Sequence, residues 1–181
     1  MKVLKTTFDG LLIIEPTVFE DSRGFFFESY NKKQFALAGI DMEFVQDNQS
    51  HSKKGVMRGL HFQRPPFAQA KLVRVLSGII QDVVVDLRKD QPTFGKHFSI
   101  ELSFQNKKQL LVPPGFAHGF LVLSESADVL YKCDKLYQPD AESGIIFNDP
   151  ALEIDWRLDA NQLVFSAKDI KYPSLANAIL S

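Results

Sequence analysis

The stretch Gly55-Val56-Met57-Arg58-Gly59-Leu60-His61-Phe62-Gln63 decides how this chain is read. Apolar and polar residues alternate from Leu60 to Gln63, the period of a half-buried strand. Strict alternation through Val56–Gln63 sets Arg58 and His61 on opposite faces. Gly59 lies between them, and an interior glycine is where a β-bulge can re-aim a neighbour. A distortion is therefore expected there if both residues serve one site. A second stretch, Pro113-Pro114-Gly115-Phe116-Ala117-His118, brings another histidine in behind a Pro/Gly turn.

Outward from these stretches, short strand-like runs recur with turn signals between them. Leu11–Glu15 stops at Pro16, and Gly24–Tyr30 follows the turn Glu20-Asp21-Ser22-Arg23. Lys71–Leu76 is closed by Ser77-Gly78, and Ile79–Leu87 by the region Lys89–Pro92. Phe98–Leu102, Gln109–Val112, Gly119–Leu123 and Ala127–Cys133 continue the series. Asn31–Ala38 reads as the one internal helix, and Tyr172–Leu180 as a short terminal one. Many short, evenly spaced strands predict an all-β sandwich or barrel rather than a parallel α/β sheet. With no linker, repeat or low-complexity tract, residues 1–181 are expected to form one domain.

The 181 residues carry a net charge of −1, which gives no general pull towards nucleic acid or a membrane surface. The hydrophobic fraction of 45% suits a soluble globular chain, and 16 phenylalanines suit strands and ring-lined pockets. The single cysteine, Cys133, excludes an intramolecular disulfide and a Cys-rich zinc site. It fits a reducing compartment, and the start Met1–Thr7 lacks the apolar stretch of a signal peptide, so a cytoplasmic protein is expected.

The two opening stretches, taken with Lys71 and Gly78, resemble the paired motifs of a cupin barrel. A metal-binding cupin carries His-x-His and then a Glu ahead of a closing glycine. Here Gln63 stands for the second His and Lys71 for the Glu. A cation repels a metal ion and suits a carbonyl oxygen or an anion, so no metal is expected. Lys71 shares a strand face with Val73 and Val75, which fits either a barrel-mouth lysine or one snorkelling outwards.

Across nearly the whole chain, the motifs resemble the dTDP-4-dehydrorhamnose 3,5-epimerase family. They include Asp21-Ser22-Arg23-Gly24-Phe25-Phe26-Phe27-Glu28, Gln46-Asp47-Asn48-Gln49-Ser50, Arg58-Gly59-Leu60-His61, Gln69-Ala70-Lys71, Gly115-Phe116-Ala117-His118, Tyr131-Lys132-Cys133 and Ser166-Ala167-Lys168-Asp169. The resemblance implies an all-β cupin-type jelly roll with a few short peripheral helices. It also implies a homodimer, no cofactor, and a dTDP-4-dehydro-6-deoxyglucose substrate.

By the same resemblance His61 is a general base and Asp169 the carboxylate that fixes its tautomer. Lys71 stabilises the enolate oxygen, and Tyr131 is the acid on the opposite side. Imidazole and phenol suit those duties, with ordinary pKa values near 6.5 and 10. Arg23 and Arg58 fit the pyrophosphate, because a guanidinium binds phosphate oxygens in bidentate fashion. Glu28, Gln46, Asp47 and Asn48 match nucleotide- or sugar-binding positions, Tyr137 the position that stacks on thymine, and Glu142 and Lys168 further ligand contacts. His118 is expected to contact the sugar or oxyanion.

The residues alone leave other readings open. His118 also reads as a satisfied core histidine, Asp169 as a solvated loop residue or helix cap, and Tyr131 as a packed strand tyrosine. Asp82 and Asp86 share a strand face, and one of them is a candidate for orienting Lys71 or His61. An epimerase acting at C3 or C5 alone needs the same residues. A metal-dependent cupin and a non-catalytic sugar-nucleotide binder fit them less well.

Overall fold

A computed structural model describes residues 1–180. Its strands are β1 (Lys2–Lys5), β2 (Leu12–Glu15), β3 (Phe19–Asp21), β4 (Gly24–Phe26), β5 (Gln46–Lys53), β6 (Met57–Gln63) and β7 (Lys71–Ser77). They continue as β8 (Ile79–Asp86), β9 (His97–Ser103), β10 (Gln109–Val112), β11 (Phe116–Val122), β12 (Ser126–Cys133) and β13 (Glu142–Gly144). One α-helix, α1 (Lys32–Leu37), is joined by several 3-10 turns. No helix among the described residues is long and apolar enough to cross a membrane.

The strands form a six-stranded sheet in the order β1-β2-β10-β7-β12-β5 and a five-stranded sheet in the order β13-β6-β11-β8-β9, while β3 and β4 pair as a separate arm. All the strand pairings are antiparallel. The non-sequential strand orders make this the jelly-roll sandwich that the motifs implied.

Period-2 alternation builds three layers of core. Val73, Val75, Leu110, Val112, Ala127 and Val129 of the larger sheet face Ile80, Val84, Leu102, Phe116, Phe120 and Val122 of the smaller one. The opposite face of the larger sheet, with Ile14, Leu72 and Leu111, is covered by Phe35 of α1 and by Ile40. The back of the smaller sheet, with Leu60, Phe62, Val83 and Val85, is covered by Leu152, Trp156 and Leu175 from the C-terminal part of the chain.

The expected distortion is present. His118 pairs with His61, but Phe120 pairs with Arg58, so β6 holds one more residue than β11 between these points. The extra residue is Gly59, with φ at +132°. Met57, Leu60 and Phe62 therefore face the outer layers, while Arg58 and His61 both line the interior. A Cβ on Gly59 would lie 2.5 Å from Gly119 Cα and 2.9 Å from the His118 carbonyl oxygen. Gly59→Ala is accordingly expected to lower unfolding free energy by about 2 kcal/mol or more, through backbone strain and overpacking. The urea midpoint measures this, and an unchanged midpoint would contradict the packing argument.

Four expectations need correction. The run Gly24–Tyr30 is a strand only to Phe26; beyond it the Ser29 carbonyl accepts from Gln109 Nε2 at 2.8 Å, and Asn31 caps α1. Tyr172–Leu180 is not a helix but a strap with a 3-10 turn at Leu175–Asn177. Its backbone bonds go to neighbours: Ile146 N–H donates to the Pro173 carbonyl at 2.9 Å, and Leu175 N–H to Asp149 Oδ2 at 2.7 Å. The polar strand β5 is absent from the sequence-based strand series, and β11 begins at Phe116 rather than Gly119.

Candidate active site

Two cavities, of about 230 and 290 Å³, open between the sheets and share His61, Lys71 and Tyr131 as walls. The first is also lined by Gln46, Asn48, Gln63, Gln69, Tyr137 and Glu142. The second adds Ser50, Arg58, His118, Ser166, Lys168 and Asp169.

His61 comes from β6. Its Nε2 lies 2.6 Å from Asp169 Oδ1, so this nitrogen carries the proton shared with the carboxylate and Nδ1 is the free base. Asp169 is buried, and its other oxygen accepts from Ser166 Oγ at 2.8 Å. Burial pushes the Asp169 carboxyl upward, but the hydrogen bonds from His61 and Ser166 outweigh it and hold the carboxyl below its usual value. The aspartate thus stays ionised at neutral pH and fixes the imidazole tautomer.

Lys71 opens β7 on the facing sheet. Its ammonium sits 5.7 Å from the centroid of the Tyr131 ring and forms no ion pair among the described residues. Burial lowers its pKa, against the raising influence of Cys133, Asp82 and Glu142. A half-buried cation without a bonded partner, lining a cavity, is chemically suited to receive an oxygen that becomes negative. Tyr131 is next but one on the same face as Val129, and burial followed by Cys133 raises its phenol pKa, so it holds its proton.

His118 stands opposite His61 in the strand register, with Nε2 at 3.0 and 2.9 Å from the two oxygens of the fully buried Asp82. Asp82 therefore orients His118, and neither Lys71 nor His61 is its hydrogen-bond partner. Asp86 is remote from this work; it binds Arg88 and Thr93. Arg58 lies at the cavity edge, its Nε donating to Ser52 Oγ at 3.0 Å.

At the other end, Tyr137 donates its hydroxyl hydrogen bond to Glu142, which also pairs with Lys168. Burial raises the Glu142 pKa, but Lys168 and Tyr137 outweigh it and lower the value overall. Gln63 shapes this wall. Its Nε2 donates to the Phe67 carbonyl at 2.7 Å, and its Oε1 accepts from Gln138 N–H at 2.6 Å. The Tyr137 N–H donates to Gln46 Oε1 at 2.9 Å, so the loop bearing Tyr137 is held on both sides.

Three candidates do not join the cavities within one chain. Arg23 rides the β3–β4 arm, with a side chain 89% exposed and paired with Asp21. Glu28 accepts from Asn31 Nδ2 at 2.9 Å beside a separate cavity near the N-terminus. Asp47 alternates outward from Gln46 and Asn48, and binds Lys132 at 2.9 and 3.0 Å. Ser166 and Gln69 line the cavities and Tyr172 packs against His61, yet the sequence reading gave these three no part; Gln63, read only as replacing a metal-ligand histidine, is a wall residue. Their only signal was membership of the quoted motifs or nearness to them.

The described residues contain no group of three or more His, Cys, Asp or Glu side chains that could hold a metal ion. The histidines that a metal would need are each committed to a carboxylate of their own.

Residues 5–177 match the family described as dTDP-4-dehydrorhamnose 3,5-epimerase. The chain belongs to this family. A dTDP-4-dehydrorhamnose 3,5-epimerase of Salmonella typhimurium is 52% identical, the match covering 100% of this chain and 99% of that one. Among solved structures, the dTDP-4-dehydrorhamnose 3,5-epimerase of Elizabethkingia anophelis superposes with a TM-score of 0.93 at 51% identity, over 98% of this chain and 97% of that chain. The dTDP-6-deoxy-D-glucose-3,5-epimerase of Legionella pneumophila, solved with dTDP-4-keto-L-rhamnose, gives a TM-score of 0.92 at 48% identity, covering 97% and 93%. For a dTDP-4-dehydrorhamnose 3,5-epimerase family member, the cupin-type jelly roll follows, and the two sheets bring the His61 imidazole and the Tyr131 phenol to one cavity.

Proposed function

We propose that the chain converts dTDP-4-dehydro-6-deoxy-D-glucose to dTDP-4-dehydro-L-rhamnose by inverting C3 and C5. The observation that carries this reading is the set His61–Asp169, Lys71 and Tyr131 around one cavity, with base and phenol on facing sheets.

The C4 ketone acidifies the protons on C3 and C5, so the chemistry is proton transfer. His61 Nδ1 takes the proton, and the electron pair moves through the C–C bond to give an enolate with charge on the C4 oxygen. The Lys71 ammonium receives that oxygen. Tyr131 delivers its hydroxyl proton to the opposite face of the carbon, and solvent restores the proton of Tyr131 and removes that of His61. Asp169 stabilises the imidazolium while it exists. His118, aimed by Asp82, binds the sugar beside the oxyanion.

Arg58 takes pyrophosphate oxygens. Gln46, Asn48, Glu142 and Lys168 contact the sugar and nucleotide, and the Tyr137 ring stacks on the base. Arg23 and Glu28 complete a neighbouring site from the β3–β4 arm side in a homodimer, and the protein works in the cytoplasm with Cys133 reduced. Support for the arm's reach is its exposed apolar surface, with Phe19 63% and Phe26 70% exposed.

Incubation with substrate in deuterated water tests the reading. Deuterium at both C3 and C5, with dTDP-4-dehydrorhamnose as product, is expected. Exchange at one carbon alone would assign a single-centre epimerase, and none at either would refute the proposal. Tyr131→Phe should lower product formation by about 100-fold or more. Exchange on the His61 face should persist in that variant, because abstraction does not need the phenol. Loss of exchange and product together would take Tyr131 out of the acid role.

A further inference from the structure

Tyr172 belongs to none of the substrate-facing groups, yet its ring centroid lies 5.5 Å from that of His61, edge to face at 64°. The seat for this ring is prepared by Gly144, the residue paired with His61 across β13 and β6. A Cβ on Gly144 would stand 2.6 Å from Tyr172 Cε2 and 2.7 Å from Cδ2 and Cζ. The Tyr172 ring thus fills the space that any side chain at 144 would occupy.

The strap holds this ring in place. Pro173 accepts a backbone bond from Ile146, and Leu175 donates to the Asp149 carboxylate. Asp169, in the turn Asp169–Lys171 that leads into the strap, is pinned by Ser166. One hydrogen bond to Asp169 fixes one atom of the imidazole and leaves the ring plane able to turn about the Cβ–Cγ bond, near whose axis Nε2 lies. A second contact on the ring itself removes this freedom, which counts because small misplacements of a reacting group are costly. The hydroxyl does not supply that contact: its polar neighbour is the Lys168 ammonium, which also pairs with Glu142, and not the imidazole.

We infer that Tyr172 is a positioning residue whose aromatic ring, seated on Gly144, fixes the plane of the His61 imidazole so that Nδ1 faces the reacting carbon. This rests on His61 being the base.

Four variants test it: Tyr172→Ala, Tyr172→Phe, Gly144→Ala and, as control, His61→Ala. Each is assayed for kcat and KM with dTDP-4-dehydro-6-deoxyglucose. Each is also read by proton NMR for the downfield resonance of the hydrogen between His61 Nε2 and Asp169. Tyr172→Ala is expected to lose roughly 10- to 100-fold in kcat, with KM changed by less than about twofold. Gly144→Ala should match it, because the added methyl evicts the ring. Tyr172→Phe should keep most of the rate and the resonance, while the other two Tyr172-seat variants broaden or lose it. If Tyr172→Phe is as impaired as Tyr172→Ala, the ring argument is overturned. Unchanged kcat and resonance in Tyr172→Ala, where His61→Ala is inactive, would overturn this inference alone. A fully active His61→Ala would overturn the base assignment and this inference with it.

Discussion

Replacing His61 by alanine is expected to reduce kcat by about 1,000-fold, or about 4 kcal/mol of transition-state stabilisation. The size follows from what is removed. Nδ1 is the free nitrogen at the cavity, and its activation depends on the 2.6 Å bond that Asp169 makes to Nε2. Without the ring, a carbon acid beside the ketone meets only water. KM should change little, since the substrate contacts proposed for Gln46 and Tyr137 come from β5 and the segment after β12 rather than from β6. Deuterium uptake at C3 and C5 is the direct measurement; uptake at the normal rate would exclude His61 as base.

The pH dependence of the dyad has a definite sign. The folded Asp169 pKa lies below its ordinary 3.8, so its contribution to stability is present in full above that value. It is lost only as pH falls below 3.8 through the lowered value. Between neutral pH and mild acid the carboxylate remains available to the imidazole.

Lys71→Met is the second large effect, and it separates function from stability. Removing a donor aimed at a developing oxyanion costs about 100- to 1,000-fold in kcat, or roughly 3–4 kcal/mol. Stability should move the other way. Burial depresses the Lys71 pKa, meaning that folding disfavours its charged form. The penalty is therefore present at neutral pH and fades as pH rises towards the lysine's unfolded value. Methionine, of similar length, escapes the penalty. The variant is expected to unfold at an equal or higher urea concentration while turning over far less substrate. A coincident fall in both would mean that Lys71 is a structural support rather than the oxyanion receptor.

Sequence pattern carried the apolar architecture well, because the strands Lys71–Ser77, Ile79–Asp86 and Ser126–Cys133 bury valines and leucines that announce them. It missed β5 for a physical reason. Gln46, Asn48, Ser50 and Ser52 occupy its inward positions, where a strand usually shows apolar residues, because this face lines a polar cavity. Had that strand been recognised, alternation would have turned Asp47 away from Gln46 and Asn48 at once. The bulge at Gly59 was legible from the demand that Arg58 and His61 share a site. The partners of His61 and His118 were legible only in part. Asp169 came from a motif, whereas the pairing of His118 with Asp82 depends on the register of β11 against β8, which no local pattern encodes. The strap at Tyr172 looked helical by composition, but its backbone bonds go to the body of the protein.

Gln63 bears on any attempt to convert this barrel into a metalloenzyme. It stands where a metal-binding cupin keeps a histidine, and here its amide ties the Phe67 carbonyl of one loop to the Gln138 N–H beside Tyr137 on another. Installing an imidazole would release Gln138 and, with it, the wall that carries Tyr137. A metal site therefore cannot be installed one ligand at a time. The coordination position serves here as a pin between two loops, and a designer would have to rebuild that wall before adding the first ligand.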